Sequence, residues 1–444
     1  MILGIDFGTS GVRGCVRQGM HTDFFSVAYP QLGLNTPTHT VQDPKAWVLA
    51  LEALLAKIPL NLRQQIQQII LDATSSTVLL AESKNGQVRA CTQALMYNHQ
   101  SAKREAATIS EHIHQRMSDP IHAPESTLLG PASTLAKVLW LQKQTLTNRQ
   151  RLMICHQIDW MNGYLTGQYQ ITDENSALKL GFNPITRSWP AWISEWIAPL
   201  KLPKVRPAGS FLAPIRSEVA QQFSLPKTCK IYCGTTDSIA AFLATGAHQL
   251  GDGVTSLGST LAIKLLTNAP VYQPDAGVYS HRLKKMWLVG GASNTGGAVL
   301  LKHFKIEELV SRLSRLEQKL ADGTYSIPTG LDYYPLIEKG ERFPIFDPDL
   351  APKLTPKPKD DDLFLLGLIE GLVNIEKLAY QKLNLAMHAD TGGVKRIYSV
   401  GGGIKNQLWQ KVREEILTHA LSVINQKPLQ TEAAFGVTQL LEPL

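Results

Sequence analysis

The chain has 444 residues, which at about 150 residues per domain suggests two or three domains. Hydrophobic residues make up 44% of it, and its 33 glycines and 25 prolines are close to ordinary usage, which excludes a disordered, collagen-like or coiled-coil protein. The net charge of +7 is a mild excess over such a length. It is compatible with anionic small-molecule partners, whereas nucleic acid usually requires a concentrated basic stripe, so we expect no nucleic-acid partner.

The cysteines and the apolar segments bear on the cellular compartment. The five cysteines are scattered and contain no Cys-x-x-Cys pair, which favours reduced thiols over a zinc site or a disulfide framework. The first residues, MILGIDFGTS, do not resemble a secretory signal, and the longest apolar stretch, 363–375, is too short to cross a bilayer. We expect a cytoplasmic protein with no membrane partner.

Strands and helices are predicted to alternate along the first half of the chain. Strands are predicted over 2–7, 12–17, 68–72 and 78–81. Helices are predicted from Asp43-Pro44, which combines an N-cap residue with proline in the first turn, and over 99–116, 133–143 and 156–166. This alternation is typical of an α/β fold.

Two proline-rich stretches interrupt the pattern. The first, 203–226, ends just before an apolar strand and is interpreted as a domain boundary, which divides the chain into 1–226 and 227–444. The second, 347–362, is interpreted as a surface loop within the second domain.

A long-range internal similarity points to duplication. GIDFGTSGVRG at 4–14 resembles VTSLGSTLAIKL at 254–265, because each is an apolar strand, a turn with glycine and a hydroxyl residue, and a second apolar strand. A duplicated fold would produce this pattern.

The turn after the first strand can hold phosphate. Its glycines expose backbone N–H groups, and the hydroxyls of Thr9 and Ser10 add further donors. Asp6 just ahead of it would be repelled by phosphate unless Mg²⁺ lay between them. The alternative is an ordinary hairpin with an aspartate in its turn.

Gly258, Ser259 and Thr260 repeat this element in the second half of the chain. They too can be an ordinary hairpin. Two anion-holding turns, one in each domain, could however hold a polyphosphate between them.

Asp237 lies at a predicted strand-to-helix junction, where a carboxylate is often an N-cap. The functional interpretation is a general base that accepts the proton of a substrate hydroxyl during phosphoryl transfer. An aspartate with an ordinary pKa is already ionised at pH 7, so this role needs no special tuning.

Three glycines at 401–403 follow a predicted strand over 396–400. They would let the backbone approach a flat ligand such as adenine, although a flexible turn is the alternative. The segment is neither a G-x-G-x-x-G pattern nor a Walker A sequence.

Together these segments resemble the FGGY carbohydrate kinases, which share the duplicated ribonuclease-H-like fold of the actin and hexokinase ATPases. The resemblance extends over nearly the whole chain, and within the family it is closest to the short D-ribulose (pentulose) kinases. The segments that carry it are GIDFGTSG, LDATSSTVLL, ALMYNHQSA, HQIDWMNGYLTG, ITDENSALKLG, GTTDSIAAFLATGA, SLGST, YYPLIEKGERFP, VGGGIKNQLW and TEAAFG.

The resemblance implies a role for particular residues. Asp6 would orient Mg²⁺ and contact the sugar, Ser75 would hydrogen-bond the sugar, and Asp237 would be the catalytic base in contact with the substrate. The nucleotide would be bound by two phosphate-binding turns and an adenosine pocket: Thr9, Ser10, Gly258, Ser259, Thr260, Gly402, Gly403, Asn406 and Trp409. Trp409 has helix packing as its alternative, and His99 departs from the aspartate that many relatives carry there.

The resemblance also implies a fold and an activity. The fold would be α/β, with two ribonuclease-H-like domains flanking a central cleft: a sugar-binding domain over 1–226 and a nucleotide-binding domain over 227–444. The activity would be ATP- and Mg²⁺-dependent phosphorylation of the terminal hydroxyl of a ketopentose. D-ribulose is the expected substrate, and D-xylulose is the alternative. A non-catalytic regulator that binds sugar or nucleotide is the alternative of another class, and the protein would be a monomer or a homodimer.

Overall fold

The computed structural model describes residues 1–32, 40–114, 116, 119–145, 151–386 and 393–442. The chain forms two compact units. Unit 1 comprises Met1–Ala244 and Glu432–Leu444, and unit 2 comprises Thr245–Thr431.

The strands of the described residues are β1 (Ile2–Phe7), β2 (Gly11–Gln18), β3 (His21–Ala28), β4 (Val41–Gln42), β5 (Gln68–Ala73), β6 (Val78–Lys84), β7 (Gln87–Ala90), β8 (Ala94–Leu95), β9 (Leu152–His156), β10 (Ile171–Asp173), β11 (Lys204–Arg206), β12 (Phe211–Pro214), β13 (Lys230–Thr236), β14 (Asp252–Leu257), β15 (Leu261–Thr267), β16 (Tyr279–Leu283), β17 (Met286–Ala292), β18 (Arg396–Val400) and β19 (Ile424–Gln426). The helices are α1 (Pro44–Lys57), α2 (Leu60–Arg63), α3 (Lys103–His114), α4 (Thr134–Gln144), α5 (Gln157–Thr166), α6 (Ala191–Ile197), α7 (Ser217–Phe223), α8 (Asp237–Ala244), α9 (Gly297–His303), α10 (Ile306–Ala321), α11 (Asp361–Ala386), α12 (Gln407–Leu421) and α13 (Ala433–Gly436).

Unit 1 is built on a sheet that, in the described residues, has six strands in the order β12-β13-β5-β1-β2-β3. β1 pairs antiparallel with β2 and parallel with β5, and β13 continues the parallel arrangement beyond β5. From its second residue to its last β1 is buried, which is typical of a strand that is covered on both faces of a sheet. Asp43 caps α1 as predicted, because its side chain accepts a hydrogen bond from the backbone of Lys45.

Unit 2 is built on a second sheet with the order β16-β17-β15-β14-β18-β19 in the part of the chain that is described. β14 pairs antiparallel with β15 and parallel with β18, and β18 pairs parallel with β19. The pattern β3-β2-β1-β5-β13 of unit 1 is therefore repeated as β17-β15-β14-β18-β19. The α/β class and the predicted duplication are confirmed by this strand order.

The division between the units falls after Ala244 and not between residues 226 and 227. The proline-rich stretch does not separate the units, because it contributes β11, β12 and α7 to unit 1. β12 and β13 pair with each other, and β13 pairs with β5, which holds the chain in unit 1 beyond the predicted boundary. The functional division into a sugar domain and a nucleotide domain stays a prediction.

No helix in the described ranges has both the length and the apolar character needed to span a bilayer.

Candidate functional site

Three aspartates lie at the carboxyl ends of the parallel strands β1, β5 and β13 of the first sheet. Asp6 and Asp72 are the next-to-last residues of their strands and face each other in the β1–β5 register. Asp237 follows directly after β13 and begins α8. The two aspartates predicted to carry the chemistry are therefore close in the fold although far apart in sequence, and both belong to unit 1.

Asp72 was not singled out from the sequence, and its surroundings are unusual for a carboxyl group. It is fully buried, and neither carboxyl oxygen has a hydrogen-bond partner among the described residues. Burial and the negative charges of Asp6 and Asp237 raise the pKa of Asp72 well above its ordinary value. The same site thus contains one carboxyl group that is harder to ionise than an aspartate in water.

Asp6 is held in place by an ion pair. The Nη1 of Arg13 lies 2.7 Å from Oδ2 of Asp6, and the two residues face each other in the β1–β2 register. The hydrogen bond to Asp6 raises the pKa of Arg13 above its usual value. No local sequence pattern indicates this contact, because it depends on the pairing of two strands.

The turn between β1 and β2 forms as predicted. The backbone N–H of Gly8 donates to the carbonyl of Gly11 over 3.0 Å, and Gln42 and Tyr29 donate side-chain hydrogen bonds to the carbonyls of Thr9 and Gly8. The side chain of Thr9 is half-buried, and that of Ser10 is exposed. These contacts fix the turn and leave the exposed Ser10 hydroxyl accessible to an anion.

Asp237 has two interpretations from the sequence, helix capping and proton acceptance, and its position at the start of α8 is compatible with both. Its Oδ1 accepts a hydrogen bond of 2.6 Å from the backbone N–H of Ser238, so it contributes to the start of α8. The residue is only half-buried, so its carboxylate remains accessible. Capping and proton acceptance are thus compatible at this position.

The Thr74-Ser75-Ser76-Thr77 cluster separates β5 from β6. Hydrogen bonds hold three of its hydroxyls: Thr74 bonds to Thr77 and to Gln157, and Ser76 bonds to the carbonyl of Ala132 and to Thr134. No partner for the hydroxyl of Ser75 is found in the described chain, and Ser75 is half-buried. Ser75 is therefore the hydroxyl of this cluster best suited to meet a ligand.

A buried lysine supports the same cluster. Nζ of Lys137, in α4, donates to the carbonyls of Ser76 and Met96, and Ser76 adopts a positive φ of 67°. Burial lowers the pKa of Lys137 well below its ordinary value. Lys137 thereby connects the Ser75 turn to the segment that contains His99, and no sequence motif marks this lysine.

His99 lies close to this lysine. It is 7% exposed, its Nδ1 has no partner within the described residues, and its ring packs 5.6 Å from that of Trp140. Burial and the charge of Lys137 lower the pKa of His99. His99 is therefore buried against an aromatic ring and is not exposed to solvent at a helix start.

The second predicted phosphate turn lies in unit 2, between β14 and β15. The hydroxyl residues Ser259 and Thr260 are exposed. Gly297 and Ala298 at the start of α9 donate backbone hydrogen bonds of 2.9 and 3.2 Å to the carbonyls of Gly258 and Ser259. As in unit 1, the carbonyls are engaged by protein and the hydroxyls face outward.

The glycine segment at 401–403 lies beside that turn, because β18 is the parallel neighbour of β14. A Cβ at Gly403 would lie 2.7 Å from Cβ of Leu257 and 2.9 Å from the ring of Trp409, whereas a Cβ at Gly402 would meet no atom within 4 Å. Glycine is thus required at 403 for close packing, and the space at 402 is open to a ligand.

Trp409 and Asn406 support this segment from α12. Trp409 is 2% exposed and belongs to the hydrophobic core of unit 2, so its side chain packs as the alternative interpretation predicted. Its ring lies against Gly403. The side chain of Asn406 caps α12 by accepting a 3.0 Å hydrogen bond from the backbone of Trp409. A direct contact of either residue with adenosine stays a prediction.

The residues of unit 1 are compatible with a magnesium ion that takes most of its ligands from phosphate oxygens and water. Mg²⁺ commonly uses one or two carboxylates together with phosphate oxygens and water. Asp6 supplies one carboxylate at the end of β1, next to the turn of Thr9 and Ser10. In the described ranges no cluster of three or more His, Cys, Asp or Glu could hold a metal by itself.

Comparison with known proteins gives consistent matches. Residues 1–244 match the profile of the N-terminal domain of the FGGY family of carbohydrate kinases. A xylulose kinase of Lactococcus lactis subsp. lactis (strain IL1403) is 23% identical over 91% of this chain and 80% of its own length, and a gluconokinase of Bacillus subtilis (strain 168) is 22% identical over 94% and 82%. The crystal structure of xylulose kinase from Rhodospirillum rubrum has a TM-score of 0.82 at 20% identity, and covers 99% of this chain and 88% of that one.

Proposed function

Because this chain belongs to the FGGY family of carbohydrate kinases, we propose that it transfers the γ-phosphoryl group of ATP to the terminal hydroxyl of a ketopentose, D-ribulose first. The family makes the protein an ATP-dependent carbohydrate kinase. The sugar, the magnesium ion and the roles of individual residues belong to the proposal. We further propose that it acts in the cytoplasm as a monomer or a homodimer.

In the proposed reaction Asp237 is the general base. It accepts the proton of the terminal hydroxyl as that oxygen forms a bond to the γ-phosphorus, while the bond from phosphorus to the bridging oxygen breaks and ADP leaves. General-base help of this kind contributes about 10²- to 10⁴-fold to a rate. The observation that supports it most strongly is the convergence of Asp6, Asp72 and Asp237 at one edge of a single sheet.

The sugar is proposed to bind beside these carboxyl groups. Ser75 would donate to or accept from a sugar hydroxyl, because its three neighbours in the cluster are already bonded to protein. Asp6, oriented by Arg13, would accept from another sugar hydroxyl. Such fixed partners align the reacting oxygen, which is the main source of acceleration in a reaction that requires little covalent participation by the enzyme.

The nucleotide is proposed to use exposed hydroxyls and glycine backbone. Thr9 and Ser10 would donate to phosphate oxygens, as would Ser259 and Thr260 in the turn that begins at Gly258. Gly402 and Gly403 would accept the adenosine face, with Asn406 and Trp409 supporting them. When bound through Asp6, Mg²⁺ would neutralise charge on the phosphates.

D-xylulose is the second candidate substrate. It also offers a terminal hydroxyl and differs from D-ribulose in configuration at one carbon. Relatives named xylulose kinase favour it. The name of another relative, gluconokinase, adds gluconate to the compounds worth testing.

A panel assay tests the substrate. ADP release is coupled to an absorbance change and measured with D-ribulose, D-xylulose, gluconate, glycerol and other polyols. We expect the highest kcat/KM with D-ribulose. A higher value with D-xylulose or with gluconate would replace D-ribulose in the proposal, and the absence of ADP release with every acceptor would contradict the kinase reaction.

Asp237→Asn tests the base. Asparagine keeps an oxygen that can accept from Ser238, so the start of α8 is preserved while the proton acceptor is lost. We expect sugar phosphorylation to fall by about 100-fold or more while ATP binding, measured by calorimetry, is retained. Turnover close to that of the wild type would remove Asp237 from the mechanism.

A further inference from the structure

We propose that the buried ion pair Glu376–Arg413 is a positioning element that sets the relative placement of the two nucleotide-binding segments of unit 2. The inference rests on the proposed function, because it takes residues 258–260 and 401–403 as the nucleotide site. Neither residue of the pair was singled out from the sequence, and the proposed reaction does not use them.

The pair lies in the core between two helices. Glu376 of α11 is fully buried and Arg413 of α12 is 1% exposed. Their contact is bidentate: Nε and Nη2 of Arg413 donate to Oε2 and Oε1 of Glu376, each over 2.7 Å. Such fork geometry fixes both the distance and the relative rotation of the two side chains.

The same two side chains also bind one residue on each of two adjacent strands. The hydroxyl of Thr255 in β14 donates to Oε1 of Glu376 over 2.6 Å, and Nη1 of Arg413 donates to the hydroxyl of Ser399 in β18 over 2.8 Å. Thr255 and Ser399 are direct partners in the β14–β18 register. One ion pair thus binds the two members of a cross-strand pair.

These two strand residues lie immediately before the proposed nucleotide segments. Gly258 comes three residues after Thr255, and Gly402 comes three residues after Ser399. A shift of one strand along the other would move one segment relative to the other. Because both strands are hydrogen-bonded to the same ion pair, the network opposes that shift.

Further hydrogen bonds complete the network. The hydroxyl of Tyr380, one helical turn beyond Glu376, lies 2.9 Å from that of Thr255, and Nη1 of Arg413 also donates to Oε1 of Gln410 over 2.9 Å. Helix α12 itself begins at Gln407, directly after the glycine segment and its Asn406 cap. The ion pair and its partners therefore connect α12, which follows one segment, with both strands that precede the segments.

The energy of a buried ion pair favours a positioning role for Glu376 and Arg413 over a contribution to overall stability. A buried ion pair is weak evidence for stability, because apolar residues of similar volume are often as stable or more so. What apolar residues cannot reproduce is the set of directional bonds to Thr255 and Ser399. The expected consequence of losing those bonds is weaker nucleotide binding in a protein that still folds.

Two variants separate positioning from folding. Ser399→Ala removes one strand contact and keeps the ion pair, since Arg413 retains Glu376 and Gln410. The double variant Glu376→Leu/Arg413→Met replaces both charges together, which avoids leaving one of them buried without its partner. Ser311→Ala is the matched control, because it removes a hydroxyl from α10 that bonds only locally, to the carbonyl of Glu308.

The readouts are the Kd of ATP by calorimetry, the KM values for ATP and for the sugar, and the thermal midpoint. We expect Ser399→Ala to raise the Kd and KM for ATP about threefold to tenfold, the effect of one lost hydrogen bond, with the sugar KM and thermal midpoint close to wild type. The double variant should fold and bind ATP more weakly still. Ser311→Ala should match the wild type in all four.

The outcomes distinguish the inference from the function on which it rests. If the wild type binds ATP and Ser399→Ala binds it equally tightly, the inference is overturned and the proposed function stands. If the sugar KM rises as much as the ATP KM, the network is merely structural, which also overturns it. If the wild type itself binds no ATP, the proposed function fails and the inference fails with it. Should the double variant not fold, Ser399→Ala decides the question alone.

Discussion

At the scale of single residues, Asp72 combines full burial with two carboxylate neighbours. Its pKa is raised by burial and by the charges of Asp6 and Asp237. A raised pKa in the folded state means that the protonated carboxyl contributes stability below its unfolded pKa of about 3.9, and that this contribution is lost as the pH rises through the raised value. Each unit by which the pKa is raised costs about 1.4 kcal/mol once Asp72 is ionised.

Asp72→Asn is therefore expected to stabilise the protein at alkaline pH and to leave it unchanged in acid, because asparagine has the shape of the protonated acid. Calorimetric melting at about pH 8 and about pH 4 checks this, with the higher thermal midpoint expected for the variant only at the alkaline value. Asp275→Asn, at an exposed position of unit 2, is the control. A variant that melts below the wild type at pH 8 would show that ionised Asp72 is stabilised by a contact not considered above.

The aspartates also show what sequence patterns can and cannot reveal. Asp6 and Asp237 could be predicted because each lies where an apolar strand meets a turn or a helix. Asp72 lies within the run IILDA, and its importance follows only from its register with Asp6. Arg13 was missed for the same reason, since strand pairing is not written in the local sequence.

Lys137 supports the Ser75 turn through the carbonyl of Ser76. Lys137→Met keeps most of the side-chain length and removes both hydrogen bonds, so we expect the KM for the sugar to rise about threefold to tenfold while the KM for ATP stays unchanged. Steady-state kinetics with both substrates varied checks this. Lys103→Met, at an exposed position of α3, should alter neither constant. Equal rises in both KM values for Lys137→Met would contradict a specific effect on the sugar turn.

At the scale of elements, α10 and α11 are joined by a charge cluster at the start of α11. Burial by itself would raise the pKa of Asp362, but hydrogen bonds from Arg315, Lys319 and Arg312 together lower it well below its ordinary value. A lowered pKa contributes stability above the unfolded pKa of about 3.9, and that stability is lost as the pH falls through the lowered value. The cluster therefore stabilises unit 2 at neutral pH and not in strong acid.

Asp362→Asn should lower the free energy of unfolding of unit 2 by about 1–3 kcal/mol at neutral pH, because hydrogen bonds to a charged group are lost. The difference from the wild type should narrow as the pH is lowered from about 5 to about 2. Urea unfolding across that range checks it. Asp349→Asn breaks an ion pair with Lys339 in which both side chains are exposed, and should have little effect. A difference that did not depend on pH would show that packing, and not charge, explains the loss.

Elements with a strong local signal were predicted well. The strands over 2–7 and 68–72 are apolar runs that end at turn residues, and the Asp43-Pro44 helix start is a local signal that the cap geometry confirms. The interpretation of the proline-rich stretch at 203–226 as a domain boundary was wrong, because proline occurs in edge strands as well as in loops. Pro214 ends the edge strand β12, which is the outer strand of the first sheet.

At the scale of the whole molecule, the chain leaves unit 1 after Ala244 and returns to it at Glu432. The returning helix α13 packs against β1 and α8. A Cβ at Gly4 would lie 1.9 Å from the carbonyl oxygen of Ala434, and a Cβ at Gly436 would lie 1.8 Å from that of Ala240. Two glycines thus permit a close approach between segments that are distant in sequence, which local sequence patterns cannot predict.

The returning segment should therefore be essential to unit 1. Phe435 is 5% exposed, packs with Cys15 and Ala244, and lies under the guanidinium of Arg17 at 5.2 Å. Phe435→Ala is expected to cost about 3–5 kcal/mol, because it removes a buried ring and leaves a cavity between segments that are distant in sequence. Hydrogen exchange monitored by mass spectrometry should show faster exchange in β1 and α8 and no change in the core helix α11 of unit 2. Glu442→Ala alters an exposed side chain of the same segment and should leave exchange as in the wild type. Faster exchange that was confined to residues 432–442 would contradict the argument, because the segment would then be a dispensable cover on a unit that is stable without it.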